Sequence, residues 1–177
     1  MTAAEFHENW FSTDSQEALA TLYGKTAGLY GAVVEVGCWE GRSTIALANA
    51  CKPEIVYAVD TWEGSPGEIS ADLAAERDVY ARFRANVGAD TTGNVMPFRM
   101  DWRSFFRDHA RPIRFLHIDA EHTYCEVSDN IAAALPHLVP GAVICGDDAH
   151  HPPVREAVLD HFPNAYLLAS LWWMQLP

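Results

Sequence analysis

The sequence predicts a single α/β domain in which a mostly parallel sheet is covered by helices on both faces. Short β-branched runs alternate with longer amphipathic runs along the whole chain of 177 residues. The short runs are continuously apolar, which is typical of parallel strands that are buried on both sides. The chain length suits one domain with a substantial core. These observations together favour a doubly wound, Rossmann-like sheet of six or seven strands.

The predicted elements alternate in the order that such a sheet requires. An N-terminal helical segment occupies residues 1–29, with a helix over residues 15–29, and it belongs to the single domain of residues 1–177. The predicted strands cover residues 32–36, 54–60, 95–100, 113–119 and 141–148, and residues 165–177 form the closing strands. The predicted helices cover residues 42–50, 69–87, 102–110, 124–138 and 153–162.

The composition excludes several classes of partner. The net charge is −12, and nucleic-acid binding depends on Lys and Arg contacts to phosphates, so no nucleic-acid partner is expected. No apolar stretch approaches the roughly 18–20 residues that a membrane span needs, so no membrane partner is expected. The first residues, MTAAEFHENW, lack the basic start and apolar core of a signal peptide. Cys38, Cys51, Cys125 and Cys145 form no Cys-x-x-Cys pair, and Cys145 lies in a predicted buried strand, which favours reduced thiols and a cytoplasmic protein.

The stretch VVEVGCWEGRST, residues 33–44, is the first candidate for a ligand-binding turn. An apolar strand ends in it, two glycines follow four residues apart, and a helix rich in alanine and leucine comes next. We expect Ser43 or Thr44 to cap that helix. Turns that join a strand to a helix at the carboxyl edge of a parallel sheet commonly hold ligands, because the first N–H groups of the helix are free.

Acidic residues stand at or near the carboxyl ends of all five predicted parallel strands. A charged side chain beside a core is costly unless it has a partner, so a repeated pattern of this kind indicates a binding site. In an open parallel sheet these strand ends share one edge, where ligands bind. The residues are Glu35, Asp60, Asp101, Asp119, Asp147 and Asp148.

The turn and its acids distinguish between two cofactors. A dinucleotide requires Gly-x-Gly-x-x-Gly, which is missing here, and Glu35 and Glu40 would repel its phosphates. A positively charged ribonucleoside without phosphate suits the same acids. Asp60 follows Glu35 by 25 residues and can bind the ribose hydroxyls. These features point to S-adenosylmethionine, because it combines a ribose with a sulfonium cation.

Four stretches together resemble the class I S-adenosylmethionine-dependent methyltransferases. They are VVEVGCWEGRST, VYAVDTWEG, FLHIDAEHTY and LVPGAVICGDD, and they extend over about residues 30–150. The resemblance is to the small-molecule O-methyltransferases that carry E-x-G-x-x-x-G-x-S-T and D-x-D/E-H-x-Y motifs. It implies methyl transfer from S-adenosylmethionine to a hydroxyl of a sugar or other natural product. Members of this family often form homo-oligomers, so the resemblance implies that this chain can do the same.

The resemblance implies roles for the residues that match its motifs. The glycine turn would surround the methionine part of the cofactor, Asp60 would bind the ribose, and Asp101 with Trp102 would frame the adenine. The full set of implied cofactor-binding residues is Glu35, Gly37, Cys38, Trp39, Gly41, Ser43, Thr44, Asp60, Thr61, Trp62, Asp101, Trp102 and Asp119.

A second set of residues would carry the chemistry. Methyl transfer is a displacement at a sulfonium, so the protein mainly positions the reactants and produces a nucleophilic oxygen. In related sugar and antibiotic O-methyltransferases the matching acids bind Mg²⁺, which implies Asp119, Asp147 and Asp148 as metal ligands here. Glu121 stands where metal-using relatives more commonly have Asp. Glu121 and His122 are both candidates for the catalytic base.

Two other functions remain open on the sequence alone. The histidines of DDAHH, with His122, allow a zinc-dependent hydrolase, although His150 and His151 precede two prolines and no His-x-x-x-His pair is present. A module that binds S-adenosylmethionine without catalysis is the other alternative, and the complete set of acids disfavours it. Residues 63–76 are a candidate lid over the substrate, and the first helix, near Trp10 and Phe11, is a candidate second wall.

Overall fold

The computed structural model describes residues 3–109 and 111–177. Within these ranges the strands and helices alternate in the predicted order. The strands are β1 (Ala32–Val36), β2 (Val56–Asp60), β3 (Val95–Arg99), β4 (Ile113–Ile118), β5 (Leu138–Gly146), β6 (Tyr166–Leu168) and β7 (Leu171–Gln175). The helices are α1 (Thr13–Gly24), α2 (Arg42–Cys51), α3 (Ile69–Glu76), α4 (Val79–Asp90), α5 (Trp102–Asp108), α6 (Tyr124–Ala134) and α7 (Pro152–His161), and a 3-10 turn at Leu135–His137 precedes β5.

The strands of the described ranges form one seven-stranded sheet in the order β3-β2-β1-β4-β5-β7-β6. β1 to β5 run parallel, whereas β7 is antiparallel to both β5 and β6. The strand order reverses between β1 and β4, and such a switch point opens a crevice at the carboxyl ends of the two strands. The predicted doubly wound, Rossmann-like fold is confirmed by this topology.

Two apolar layers hold the helices on the sheet, and successive residues of the central strands contribute to opposite layers. On β4, Leu116 packs in the layer that includes residues of α5, α6 and α7. The preceding Phe115 packs in the layer that includes residues of α1 and α2. Every residue of β4 is buried as a result. The continuous apolar runs of the sequence reflect this burial on both sides of the sheet.

The predicted helix over residues 69–87 is divided into α3 and α4. Asp78 leaves the helical conformation and caps α4, because its carboxylate accepts a hydrogen bond from the Ala81 N–H at 2.9 Å. Asp is a favoured N-cap residue, so the division has a local cause in the sequence.

The N-terminal segment is less helical than the sequence predicts. Residues 3–12 are not helical, and α1 begins at Thr13, where the Ser12 side chain caps it by accepting the Ser15 N–H. The helix ends at Gly24 instead of residue 29, and glycine is a poor helix former. The non-helical residues pack against the rest of the domain.

The start of α2 also differs from the prediction, because neither Ser43 nor Thr44 caps the helix. Gly41 is the N-cap and adopts a left-handed φ of 91°. Thr44 is buried, and its hydroxyl donates a hydrogen bond to the Glu35 carboxylate instead. The turn therefore has its first helical N–H groups free of side-chain caps.

All four cysteines are free thiols, as predicted. Cys38, Cys51 and Cys145 are buried, and Cys125 is exposed. Burial raises the pKa of the Cys38 and Cys145 thiols well above the usual range, so both stay protonated. Among the helices of the described ranges, none is long and apolar enough to cross a membrane.

Gly37 brings the turn after β1 into direct contact with the end of β4. Its φ is 82°, and a Cβ atom at this position would lie 1.8 Å from the carbonyl oxygen of Asp119. The Gly37 N–H donates to the Val59 carbonyl, and the Asp119 N–H donates to the Val36 carbonyl. Only glycine permits this approach, so the two loops form one continuous surface.

Gly37→Ala should destabilise the fold more than Gly93→Ala, although the two glycines have nearly equal φ values of 82° and 81°. A side chain in the left-handed conformation costs about 1–2 kcal/mol at either position. At position 37 the methyl group would also meet β4, and overpacking adds about 1–3 kcal/mol. Nothing lies within 4 Å of the corresponding atom at position 93. Denaturant unfolding of both variants measures the difference, and equal losses would contradict the close packing of the turn.

Candidate active site

A cavity of about 730 Å³ opens at the carboxyl edge of the sheet. It extends from the turn after β1 to the loop after β5, across the switch point. Most of the residues that the sequence singled out line it together: Gly37, Cys38, Trp39, Ser43, Asp60, Thr61, Asp101, Trp102, Asp119, Glu121, His122, Asp147 and Asp148. The lining does not include Glu35, Gly41, Thr44 and Trp62, which were also predicted to contact the cofactor.

Glu35 lies beneath the turn and has no exposed surface. Its carboxylate accepts a hydrogen bond from the Thr44 hydroxyl and lies 3.0 Å from Nδ1 of His117, which is also fully buried. Burial alone would lower the pKa of His117, but the Glu35 carboxylate outweighs it and raises that pKa. Glu35 thus joins α2 and β4 beneath the turn and does not line the cavity.

Asp60 binds the turn from the end of β2. Its Oδ2 accepts the backbone N–H groups of Cys38 at 2.7 Å and Trp39 at 2.9 Å, and its Oδ1 accepts that of Trp62 at 2.7 Å. Burial raises the pKa of Asp60, although the three N–H donors act in the opposite direction. Oδ1 accepts one of these bonds, and a carboxylate oxygen has capacity for a second donor such as a ribose hydroxyl.

Trp62 supports the turn from behind. Its indole N–H donates to the Trp39 carbonyl at 2.8 Å, and its ring packs against Tyr80 and Phe83 at centroid distances of 4.6 and 4.8 Å. Gly41 also packs on Phe83, where a Cβ atom would lie 3.1 Å from the ring. Both residues shape the turn without lining the cavity.

The non-helical N-terminal residues form a wall that the sequence only partly indicated. The His7 N–H donates to Glu40 Oε2 at 2.8 Å, and the His7 ring contacts Glu40 Oε1 at 2.7 Å. Glu8 accepts a hydrogen bond from the Trp39 indole at 3.0 Å. The buried Glu40 therefore anchors the N-terminal segment, a contact over 33 residues for which the sequence carries no local signal.

Aromatic side chains of this wall face the cavity. Trp10 packs against Trp39 with ring centroids 5.3 Å apart, and Phe11 contacts the buried His117 edge-on at 5.7 Å. Both residues line the cavity, together with Phe6 and Glu8. The predicted wall near Trp10 and Phe11 is thus present, although it precedes the first helix.

Asp101 caps α5 at the end where adenine was predicted. Its oxygens accept the Ser104 N–H at 3.0 Å and the Ser104 hydroxyl at 2.8 Å, and these hydrogen bonds lower the pKa of Asp101. Trp102 is nearly buried, with the Arg103 guanidinium 4.1 Å from its ring centroid. Arg103 is paired in turn with Glu126 at 2.5 Å. An apolar indole and a neutralised cation therefore border this end of the cavity.

A potential metal-binding group lies at the opposite end of the cavity. Donor atoms of Asp119, His122 and Asp148 lie within 4.8 Å of one another, the one such group among the described residues. His122 Nε2 is 2.9 Å from Asp148 Oδ2 and 3.8 Å from Asp119 Oδ1. The structure therefore includes His122 in this group where the sequence indicated Asp147, because the side chain of His122 points back to the acids.

Asp147 lies beside this group and is more deeply buried. Only 8% of its surface is exposed to solvent, and its Oδ1 has no hydrogen-bond partner. Burial, reinforced by the Asp119 carboxylate, raises the pKa of Asp147 to about 6. The adjacent Asp148 has a left-handed φ of 56°, a strained conformation that is typical of functional sites.

The two candidate bases differ in their surroundings. Burial alone would lower the pKa of His122, but the carboxylates of Asp119 and Asp148 outweigh it and raise that pKa to about 11. The imidazole is therefore protonated at neutral pH in this arrangement. Glu121 lines the same cavity and accepts a hydrogen bond from the Thr123 hydroxyl at 3.2 Å.

The histidines suggested for zinc do not converge. The rings of His122 and His151 are 6.1 Å apart at their centroids. His150 is exposed and lies outside the cavity lining. No donor group with two histidines is present in the described part of the chain, so the geometry disfavours a zinc hydrolase.

A family model described as a methyltransferase domain matches residues 34–149. This range is more than half of the chain, and the protein belongs to this methyltransferase family. A comparison with curated proteins gives no match. The resemblance to class I S-adenosylmethionine-dependent methyltransferases, noted from the motifs, is thereby confirmed.

Several solved methyltransferase structures share the fold. The O-methyltransferase NovP has a TM-score of 0.69 at 18% identity, over 92% of this chain and 79% of its own. CalS11, a TDP-rhamnose 3′-O-methyltransferase of calicheamicin biosynthesis, has a TM-score of 0.65 at 16% identity, over 93% of this chain and 81% of its own. TomG from Streptomyces achromogenes is an O-methyltransferase of tomaymycin synthesis, solved in complex with S-adenosylmethionine. It has a TM-score of 0.67 at 14% identity, over 94% of this chain and 81% of its own. These similarities establish the fold.

In metal-free protein, Asp147 should make the folded state less stable as the pH rises. Its pKa increases from 3.8 to about 6 on folding, so the folded state favours the protonated carboxyl. This contribution is complete below the unfolded pKa, is lost as the pH passes the folded pKa, and amounts to at most about 3 kcal/mol. Asp147→Asn should remove it. Unfolding free energies measured with chelator between about pH 4 and pH 7 test this, and a constant difference between the two proteins would contradict it.

Proposed function

We propose that this protein transfers the methyl group of S-adenosylmethionine to a hydroxyl oxygen of a small molecule, either a sugar or another natural product. One observation carries the proposal: a single cavity joins the turn that Asp60 binds to the group of Asp119, His122 and Asp148. One end thus suits a ribonucleoside cation and the other a polar acceptor. The O-methyltransferases with the same fold support the choice of oxygen as acceptor.

The cofactor end offers contacts for each part of S-adenosylmethionine. The glycine turn exposes backbone groups to the methionine part, and Asp60 retains acceptor capacity for the ribose. Trp102 and Met100 offer apolar surface to the adenine. The excess of carboxylates along the cavity favours the sulfonium, because opposite charges attract more strongly away from water.

The residues at the acceptor end fit a divalent cation. Asp119 and Asp148 have ligand oxygens within 4.8 Å of each other, and the buried Asp147 has an oxygen without a partner. Oxygen ligands of this kind suit Mg²⁺, so we assign Asp119, Asp147 and Asp148 to it. When bound, the ion would hold the acceptor and make its hydroxyl more acidic.

Deprotonation of the acceptor is assigned to Glu121 or His122. His122 carries a proton while it lies between two carboxylates, which leaves Glu121 as the acceptor of a proton in that state. A cation bound by the acids would weaken their hold on the His122 proton, and His122 would then be a candidate base. Both side chains line the cavity, so the position of each is compatible with the role of base.

A cytoplasmic location and small-molecule acceptors complete the proposal. Four free thiols are typical of a reducing compartment. The net charge of −12 disfavours nucleic-acid acceptors. A module that only binds S-adenosylmethionine would not need the group around Asp119, which favours catalysis over binding alone.

Calorimetry should detect binding of S-adenosylmethionine or its demethylated product, but not of NAD. Asp60→Ala should weaken this binding by about 1.5–3 kcal/mol, because hydrogen bonds to a charged group are lost. Asp129→Ala removes an exposed carboxylate of α6 outside the cavity lining and should bind normally. Wild-type affinity of the Asp60 variant, with an intact circular dichroism spectrum, would contradict the ribose assignment.

Asp148→Asn should keep the fold and cofactor affinity while lowering turnover with a hydroxylated acceptor found by screening. A chelator should have the same effect on the wild-type protein, and added Mg²⁺ should reverse it, because the acids would hold the ion.

Glu121→Gln and His122→Asn, compared directly, identify the base, because loss of the base should lower the rate by about 10²–10⁴-fold. For the metal test, full activity of the wild-type protein in chelator would contradict the assignment of the acids to Mg²⁺. Stoichiometric zinc in the purified protein would support the hydrolase instead.

A further inference from the structure

One wall of the cavity is formed by the segment of residues 63–76, which includes α3. No residue of α3 is buried, and Ile69 leaves 67% of its surface exposed although it lines the cavity. Elements with few buried apolar contacts have low local stability. Ala74 of α3 packs on the buried cluster that includes Trp62 and Phe83, and beyond this contact the position of the wall depends on its polar contacts with the body of the domain.

The segment is braced internally and forms a compact unit. The Ser65 N–H donates to Ser70 Oγ at 2.9 Å, and the Glu68 N–H donates to the Ser65 carbonyl at 3.0 Å. Gly64, with φ of 73°, packs so closely that a Cβ atom would lie 2.3 Å from the Ser70 carbonyl carbon. These contacts hold the loop in shape but do not attach it to the sheet.

Glu68 provides the polar attachment, and its partner is His122. Glu68 Oε1 accepts the backbone N–H of His122 at 3.1 Å. Both carboxylate oxygens also lie 3.1 Å from Nδ1 of the His122 ring. The two residues are 54 positions apart in the sequence and both are largely shielded from water, so the contact joins the wall to the loop after β4.

This contact fixes the direction in which the imidazole faces. With Nδ1 against Glu68, the other ring nitrogen faces Asp148 at 2.9 Å and Asp119 at 3.8 Å. A carboxylate on one ring nitrogen is a general device for setting the tautomer and orientation of a histidine whose other nitrogen is functional. The ring of His151, 6.1 Å away and nearly perpendicular, closes the remaining side.

We propose that Glu68 is a positioning residue that aligns His122 at the acceptor end of the site and thereby couples that alignment to the closed position of residues 63–76. When the segment lies against the rim, the imidazole faces the acids. When it moves away, the ring loses its Nδ1 acceptor and the His122 N–H loses its partner. The catalytic consequence rests on the proposed function, whereas the coupling is a property of the protein without ligands.

Hydrogen exchange on the ligand-free protein tests the coupling. Glu68→Ala should accelerate amide exchange in residues 63–76 and at the backbone N–H of His122. Glu68→Gln keeps one acceptor oxygen and should have a smaller effect. Glu63→Ala removes an exposed carboxylate from the same segment and should exchange as the wild type does. Equal acceleration by Glu63→Ala, or unchanged exchange at His122 in Glu68→Ala, would overturn the proposal.

The orientation of the ring is tested separately by nitrogen NMR of protein labelled with ¹⁵N-histidine. His122→Ala identifies the His122 signals, which should shift in Glu68→Ala and return towards wild-type positions in Glu68→Gln. In the His122→Ala background, Glu68→Ala should accelerate exchange of residues 63–76 less than it does in the wild type, because the ring contact is already lost and only the backbone hydrogen bond to Glu68 remains. Additive effects, or unshifted ring signals, would overturn the proposal.

The kinetic effect separates this proposal from the proposed function. With an acceptor in hand, Glu68→Ala should lower kcat by about 10–100-fold while S-adenosylmethionine affinity stays at the wild-type value. If the protein methylates no hydroxyl, the proposed function fails, yet the exchange and NMR results still decide the coupling. If turnover is present but insensitive to Glu68→Ala, positioning is refuted and the proposed function stands.

Discussion

The carboxylate of Asp60 joins the two loops that form the floor of the cavity, and the site depends on this interaction. Its three N–H donors come from the turn after β1 and from the loop after β2. Hydrogen bonds to a charged group contribute about 1.5–3 kcal/mol each, which offsets the cost of burying the carboxylate. Because Trp39 is fixed in this way, its carbonyl can receive the Trp62 indole and its ring can support Trp10.

Negative charge at the carboxyl edge of the sheet is compensated at most positions by the protein itself. The Glu35 carboxylate contacts Thr44 and His117. Glu40 accepts a hydrogen bond from the N-terminal segment, and Asp101 accepts one from Ser104. Asp147 differs, since one of its oxygens is buried without a partner. The uncompensated polar group therefore lies beside the Asp119 group, where either a proton on Asp147 or the proposed cation would reduce the imbalance.

Local patterns in the sequence predicted the fold and the acids at the edge of the sheet, and the family resemblance added most of the other predicted residues that line the cavity. Continuous apolar runs indicate buried parallel strands, and the acids at their ends must then lie along one edge. The division at Asp78 could have been predicted from its capping preference, but the amphipathic pattern continued across it. The contacts of His7 with Glu40 and of Glu68 with His122 could not, because each joins a motif residue to a distant residue that no pattern in the sequence pairs with it.

The contact of Gly37 with the Asp119 carbonyl has a consequence for the passage of molecules through the site. Two backbones that touch without side chains between them leave no gap, so the floor cannot admit a nucleoside. The walls made by residues 3–11 and 63–76 are held mainly by side chains, and such contacts can break and re-form while the sheet stays intact. The walls, and not the floor, are therefore the parts of the site that can move aside when a molecule enters or leaves.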